Sequence, residues 1–258
     1  MLVQQFKEGD RLIYVQDIHG FEIEVFKTAD FAVLPLGSIE YHGPSSPFGT
    51  DNLLAESFSA LIDPELNGII YPCIPYSLCP GKTTRYTGTI SISAEVSFQY
   101  MKEVCKGISK SGIKNIILLN AHDANMSLSR TVAESLTNDD LEVDFLLVNW
   151  WQMVDIEEAE NIGFTQTKGR GHGGPYEMSA VKYLKPEWIP RITGEEFPEP
   201  DKYSKQAYVE IEAFPKQWDG YTGLINQISV EAGEKIVSIA SANMNSLIKK
   251  WIEERKGR

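Results

Sequence analysis

The chain has 258 residues, 42% hydrophobic and 23% charged, an ordinary globular composition with room for a substantial core. Its 24 Lys and Arg stand against 36 Asp and Glu, a formal charge of −12, and nucleic acid or an anionic membrane needs a basic face that this balance argues against. Three cysteines without a C-x-x-C pair, and the lack of a secretory or membrane-spanning apolar run, predict reduced thiols in a soluble, cytoplasmic protein.

In chain order, FAVLPLG (31–37) reads as a buried strand ending in Gly, and a Gly/Pro-rich loop leads from it to a helix over 51–62. The segment 94–112 sets Val96, Tyr100, Val104 and Ile108 four residues apart, as on a helix, and Gly112 stops it. IKNIILLN (113–120) is continuously apolar, as a strand covered on both faces must be. A helix over 124–136 and a second buried strand over 141–151 follow. Pro175 suits the first turn of a helix that carries Glu177. An amphipathic helix over 230–254 closes the chain. Alternating strands and helices predict an α/β fold with a mainly parallel sheet between helical layers. No repeat, low-complexity tract or linker divides it, so residues 1–258 read as one three-layer α/β/α domain. In such folds the working residues lie beyond the carboxyl ends of the strands.

Three loops carry the chemistry. In Gly37-Ser-Ile-Glu40-Tyr-His42-Gly-Pro44, an extended chain points Glu40 and His42 to one side, a spacing that suits two adjacent metal ions. Asp51 follows, as a carboxylate that bridges two ions or as the N-cap of the next helix. The second loop, Asn120-Ala-His122-Asp123-Ala-Asn125, ends a central strand. His122 there is either a ligand or base, or part of a helix start capped by Asp123 or Asn125. The third, Gly169 to Ser179, is either a flexible surface loop or one that sets His172 and Glu177 among glycines that let backbone approach a ligand. Three of the four histidines therefore lie in polar, glycine-rich loops beside a carboxylate; His19 has no such setting. Histidine and carboxylate without cysteine suit Zn, Mn or Fe(II).

At these residues the sequence resembles the creatininase (creatinine amidohydrolase) family. Gly37 to Asp51 match its Gly-Ser-x-Glu-x-His-Gly-Pro…Gly-Thr-Asp hallmark. Asn120 to Asn125 match Asn-Gly-His-x-x-Asn with Ala121 for Gly, and His172 to Ser179 match His-Ala-Gly-x-x-Glu-Thr-Ser loosely. Thr87 to Ser91 and Asn149-Trp150-Trp151 are weaker echoes. The resemblance implies a creatininase-like fold in which Glu40, His42, Asp51 and His122 hold two divalent ions per chain, Zn first and Mn or Fe next, with Asp51 as the bridge. It implies His172 beside the substrate as a proton carrier, with Asp123 or Glu177 completing the second metal's surroundings and Glu177 as an alternative acid. It also implies a homohexamer. Two departures stand out: Ala124 occupies the place of a metal-binding Glu, and Ser45 that of a His found in many members.

The expected function is metal-dependent hydrolysis of a C–N bond in a cyclic amide or formamide small molecule through a metal-bound hydroxide. The alternative is a non-catalytic small-molecule binder of the same fold. Trp150 and Trp151 are candidates for a pocket wall, and Arg85 and Arg170 for contacts to a substrate phosphate.

Overall fold

A computed structural model describes residues 12–139, 141–164, 170–196 and 218–256. Its strands are β1 (Ile13–Tyr14), β2 (Phe31–Leu36), β3 (Gly68–Ile70), β4 (Asn115–Asn120) and β5 (Asp144–Asn149). Its helices are α1 (Val25–Thr28), α2 (Thr50–Ala60), α3 (Gly81–Thr84), α4 (Ala94–Lys110), α5 (Asn125–Asn138), α6 (Ile156–Ile162), α7 (Pro175–Leu184) and α8 (Val230–Glu253). The strands form one sheet in the order β1-β3-β2-β4-β5, and every pairing is parallel.

The continuous apolar runs have a direct physical cause: both faces of the sheet are covered. Along β2, Phe31 and Val33 enter one core cluster with α2, α7 and α8, while Ala32, Leu34 and Leu36 enter another with α4 and α5. Ile117 and Leu119 of β4 alternate with Ile116 and Leu118 in the same way. The result is the three-layer α/β/α arrangement that the alternating sequence predicts.

Local chemistry sets the helix ends. Ser93 accepts the Val96 N–H at the start of α4, Asp155 forms a capping box with Glu158 on α6, and Ser229 accepts the Ala232 N–H on α8. Three expectations are corrected. The buried stripe of α4 is Ser97, Met101, Cys105 and Ile108; Val96 and Tyr100 are 57% and 45% exposed, one residue around the helix from the core-facing row. The strand expected over 141–151 is paired only over Asp144–Asn149, and Trp150 turns into a 3-10 helix. α5 starts at Asn125 behind Ala124, with no side-chain cap from Asp123 or Asn125. Among the described residues no helix is long and apolar enough to cross a membrane.

Candidate metal centre

Leu36 and Asn120 are register partners, so the loops after β2 and β4 leave the sheet side by side. β3 lies on one side of β2 and β4 on the other, which opens a crevice at the carboxyl ends where the winding reverses. Side chains clamp the two loops: Asn125 Nδ2 donates to Gly37 O at 3.2 Å, and the Ser77 hydroxyl donates to Asn125 Oδ1. A Cβ on Gly37 would stand 2.0 Å from Asn52 Oδ1, so only glycine lets the first loop pass the start of α2.

Asp51 occupies the centre of the crevice. Gly49, two residues before it, is the N-cap of α2, so the carboxylate is not a cap and turns inward, 1% exposed. Asp51 Oδ1 lies 3.0 Å from His42 Nε2, and Oδ2 lies 3.1 Å from His122 Nδ1. Glu40 Oε2 is 3.2 Å from the same His122 nitrogen and 3.7 Å from His172 Nδ1. Glu177, on the first turn of α7, brings Oε2 within 3.9 Å of His42 Nε2 and accepts the Gly173 N–H at 2.8 Å.

Each of the three imidazoles has its other nitrogen bound to a backbone carbonyl, which can only accept. His42 Nδ1 donates to Glu40 O at 2.9 Å, His122 Nε2 to Leu78 O at 2.9 Å, and His172 Nε2 to Tyr41 O at 2.8 Å. In the neutral tautomer this leaves a lone pair on each inward nitrogen, aimed at carboxylate oxygens. Lone pair against lone pair at about 3 Å is repulsive unless a proton or a metal ion stands between them. Glu40 Oε2 is buried without a hydrogen-bond partner, which is the same requirement seen from the carboxylate side.

With protons as the only cations, burial pulls the His42 pKa down, but Asp51, Glu177 and Glu40 outweigh it and raise it to about 10. His122 rises well above its usual value for the same reason, with Glu40 the leading carboxylate. Burial lifts Glu40, and the histidines, His172 first, hold it at about 2. Burial also opposes Asp51, yet His42 and His122 keep it far below the usual carboxylate range. His172 differs: burial, then repulsion from His42, lowers it to about 4. Burial raises Glu177 to about 7, against the attraction of His42.

Among the described residues three groups of side chains bring ligand atoms within 4.8 Å of one another: His42 with Asp51 and Glu177, Glu40 with His42 and His172, and Glu40 with Cys79 and His122. The donors fit divalent cations, which take imidazole nitrogens and carboxylate oxygens once the ions displace the protons the histidines hold. Cys79, beside Glu40 and His122, comes from the loop after β3, and no spacing links it to the histidine motifs.

A cavity of about 320 Å³ opens onto these groups, with Pro80, Lys82, Thr83, Asp123, Trp151, Arg170 and Thr222 among its lining. Asp123 is exposed beside the cavity and stands in none of the three ligand groups; Glu177 does. Trp150 and Trp151 both line the cavity; Trp150 is 1% exposed and stacks between Phe58 and Tyr176, while Trp151 is half-buried. Arg85 stacks over Tyr86 and does not line the cavity. Arg170 does, but its Nη2 donates to Trp151 O and Val154 O at 2.6 and 3.1 Å. Sequence reasoning missed Thr83, whose hydroxyl donates to Glu40 Oε1, as well as Lys82 and Thr222.

Residues 17–248 match the family model described as creatininase, creatinine amidohydrolase. The chain belongs to the creatininase family. It is 24% identical over 158 residues to the 3-dehydro-scyllo-inosose hydrolase of Thermotoga maritima, covering 61% of this chain and 48% of that one. It is 28% identical over 116 residues to the mycofactocin precursor peptide peptidase of Mycobacterium tuberculosis, covering 41% of this chain and 45% of that one. This creatininase-family chain thus spans about half the length of these curated relatives. Its fold matches a crystal structure of creatinine amidohydrolase with a TM-score of 0.77 at 19% identity, over 93% of this chain and 98% of the other. A manganese creatininase matches with a TM-score of 0.76 at 18% identity, over 94% and 99%.

Proposed function

We propose that this chain is a metal-dependent amidohydrolase that cleaves a C–N bond of a small amide at a centre of two divalent ions. The observation that carries this reading is the set of inward imidazole nitrogens facing carboxylate oxygens around Asp51, with Glu40 Oε2 unpartnered. Glu40 and His122 would hold one ion and His42 and Glu177 the other. Asp51, with one oxygen toward each histidine, would join them. When bound, such ions polarise a carbonyl and acidify water.

The chain's own groups divide the remaining work. The backbone carbonyls of Glu40 and Leu78 keep the protons of His42 and His122 on the outward nitrogens. His172 keeps its side chain 21% exposed while those of His42 and His122 are 0% and 3%, so it is the histidine a substrate reaches. With Nε2–H held by Tyr41 O, its Nδ1 is free to take a proton and return it to the departing nitrogen, which is a poor leaving group until protonated. The cavity volume suits a small cyclic amide or formamide. The names of the two relatives, a hydrolase and a peptide peptidase, support hydrolysis and make short peptides the competing substrate class.

The test is metal content per chain by elemental mass spectrometry, with hydrolysis of cyclic amides, formamides and short peptides measured alongside. Two divalent ions are expected in the wild type, fewer in His42→Ala and Glu177→Gln, and an unchanged number in Asp123→Asn. Activity should fall with the metal. Failure of the wild type to bind Zn or Mn sinks the reading; metal binding without turnover of any class leaves a binding protein instead.

A further inference from the structure

Among the described residues a lysine and an arginine line the cavity, Lys82 and Arg170, and they are held differently. Arg170 braces the wall: its guanidinium bonds two backbone carbonyls and lies 4.9 Å from the Tyr176 ring centre. Lys82 is half-buried on α3, next to Thr83, whose hydroxyl ties that turn to Glu40. Its Nζ stands 4.9 Å from the centre of the Trp218 ring, a cation–π contact. Among the described residues no carboxylate lies within ion-pair distance of it, although four carboxylates line the same cavity. Glu40, Asp51 and Glu177 face histidines instead. Trp218 also approaches His172, ring centres 6.1 Å apart, and its Nε1–H donates to Thr222 Oγ1 at 3.4 Å. One indole therefore separates the ammonium from the proton-carrying imidazole.

We propose that Lys82 receives an anionic group of the substrate, a carboxylate or a phosphate, while the amide lies at His172 and the metal ligands. This names the substrate class of the amidohydrolase centre and rests on that reading for the position of the reacting bond. Charge supports it. Two divalent ions would balance the four carboxylates that line the cavity, so Lys82 and Arg170 would leave the loaded pocket positive in a chain of net charge −12. Such a field draws an anion to this one place on the surface. A charge-assisted hydrogen bond in a partly enclosed site corresponds to about a ten- to hundredfold gain in affinity.

Three matched formamides test the proposal: N-formylglycine with its carboxylate, N-formylaminomethylphosphonate, and the neutral N-formylglycinamide. Their binding to the zinc-loaded protein is measured by calorimetry, and their turnover by formate release. The anions are expected to bind the wild type about tenfold or more tightly than the neutral compound. Lys82→Met should erase that preference while zinc content and binding of N-formylglycinamide stay as they were, and Lys82→Arg should keep part of it. The order of the carboxylate and the phosphonate identifies which anion the site takes. Equal binding of neutral and anionic probes, no binding of any of them, or a preference that survives in Lys82→Met overturns the proposal. Anion preference without formate release defeats the hydrolase reading and leaves Lys82 as an anion site. Formate released equally well from all three does the reverse.

Discussion

Asp51 is enclosed by more than the two imidazoles: the buried Ser38 hydroxyl donates to Oδ2 at 2.5 Å. That bond orients the carboxylate so that its oxygens divide between His42 and His122, as a group shared by two ions must. Outer partners of this kind typically govern metal affinity by 10–100-fold. Ser38→Ala is therefore expected to weaken zinc binding by about that factor while leaving the secondary structure intact, as read by competition with a chromophoric chelator and by circular dichroism. An unchanged affinity would mean that Asp51 holds its orientation without the serine. The same scale separates Asp123 from Glu177. Both are carboxylates near a motif histidine, but Asp123 sits just before α5 and faces solvent, whereas Glu177 lies on the inward side of the first turn of α7.

α7 owes that position to its contact with α8. Gly233 of α8 passes so close that a Cβ there would stand 2.0 Å from Ser179 O and 2.6 Å from Ser179 C. In an isolated helix Gly→Ala stabilises by about 1 kcal/mol. Here the clash is with backbone, which has no rotamer to yield, and overpacking of this sort costs about 1–3 kcal/mol. The second effect wins. Gly233→Ala should lower the melting temperature and, by pushing α7, weaken the second metal's hold through Glu177. A scanning calorimeter and the chelator competition read the two effects. A melting temperature at or above the wild type would show that α7 gives way without cost. α4 shows the opposite freedom at its surface, since Val96 and Tyr100 stay exposed while Met101 and Cys105 fill the core.

Across the whole molecule, the buried carboxylates and imidazoles couple the centre to the fold. A ligand that binds only the folded chain stabilises it by about 2.7 kcal/mol at a hundredfold excess over its dissociation constant. For a chain of this length that is roughly 5–10 °C of melting temperature. Chelation with EDTA should lower the transition by that amount, and added zinc should restore it. A transition that EDTA leaves in place would show that no chelatable divalent ion stabilises the folded chain. The loops concerned leave neighbouring strands β2 and β4, so loosening the centre also loosens the crevice between them.

What could be read from the sequence was local. The continuous apolar runs of β2 and β4, the four-residue spacing along the helices and the two-residue step from Glu40 to His42 are all properties of short segments. They led to the three-layer fold; the family, and with it the histidines and carboxylates expected at the centre, came from the resemblance of three short motifs, Gly37 to Asp51, Asn120 to Asn125 and His172 to Ser179. The same logic blurred where local geometry allows two answers. Asp51 had the sequence position of a cap, and the tertiary structure gave that place to Gly49 and turned the carboxylate inward. β1 and β3, two and three residues long, are too short to show a period. Cys79, Lys82 and Thr83 carry no mark at all, because nothing near them in the chain shares their task; Thr83 meets Glu40 across 43 residues. Only the strand order, with β3 and β4 packed on either side of β2, brings the loop after β3 over the motif loops. Packing of the two apolar faces decides that order, and no short stretch of sequence contains it.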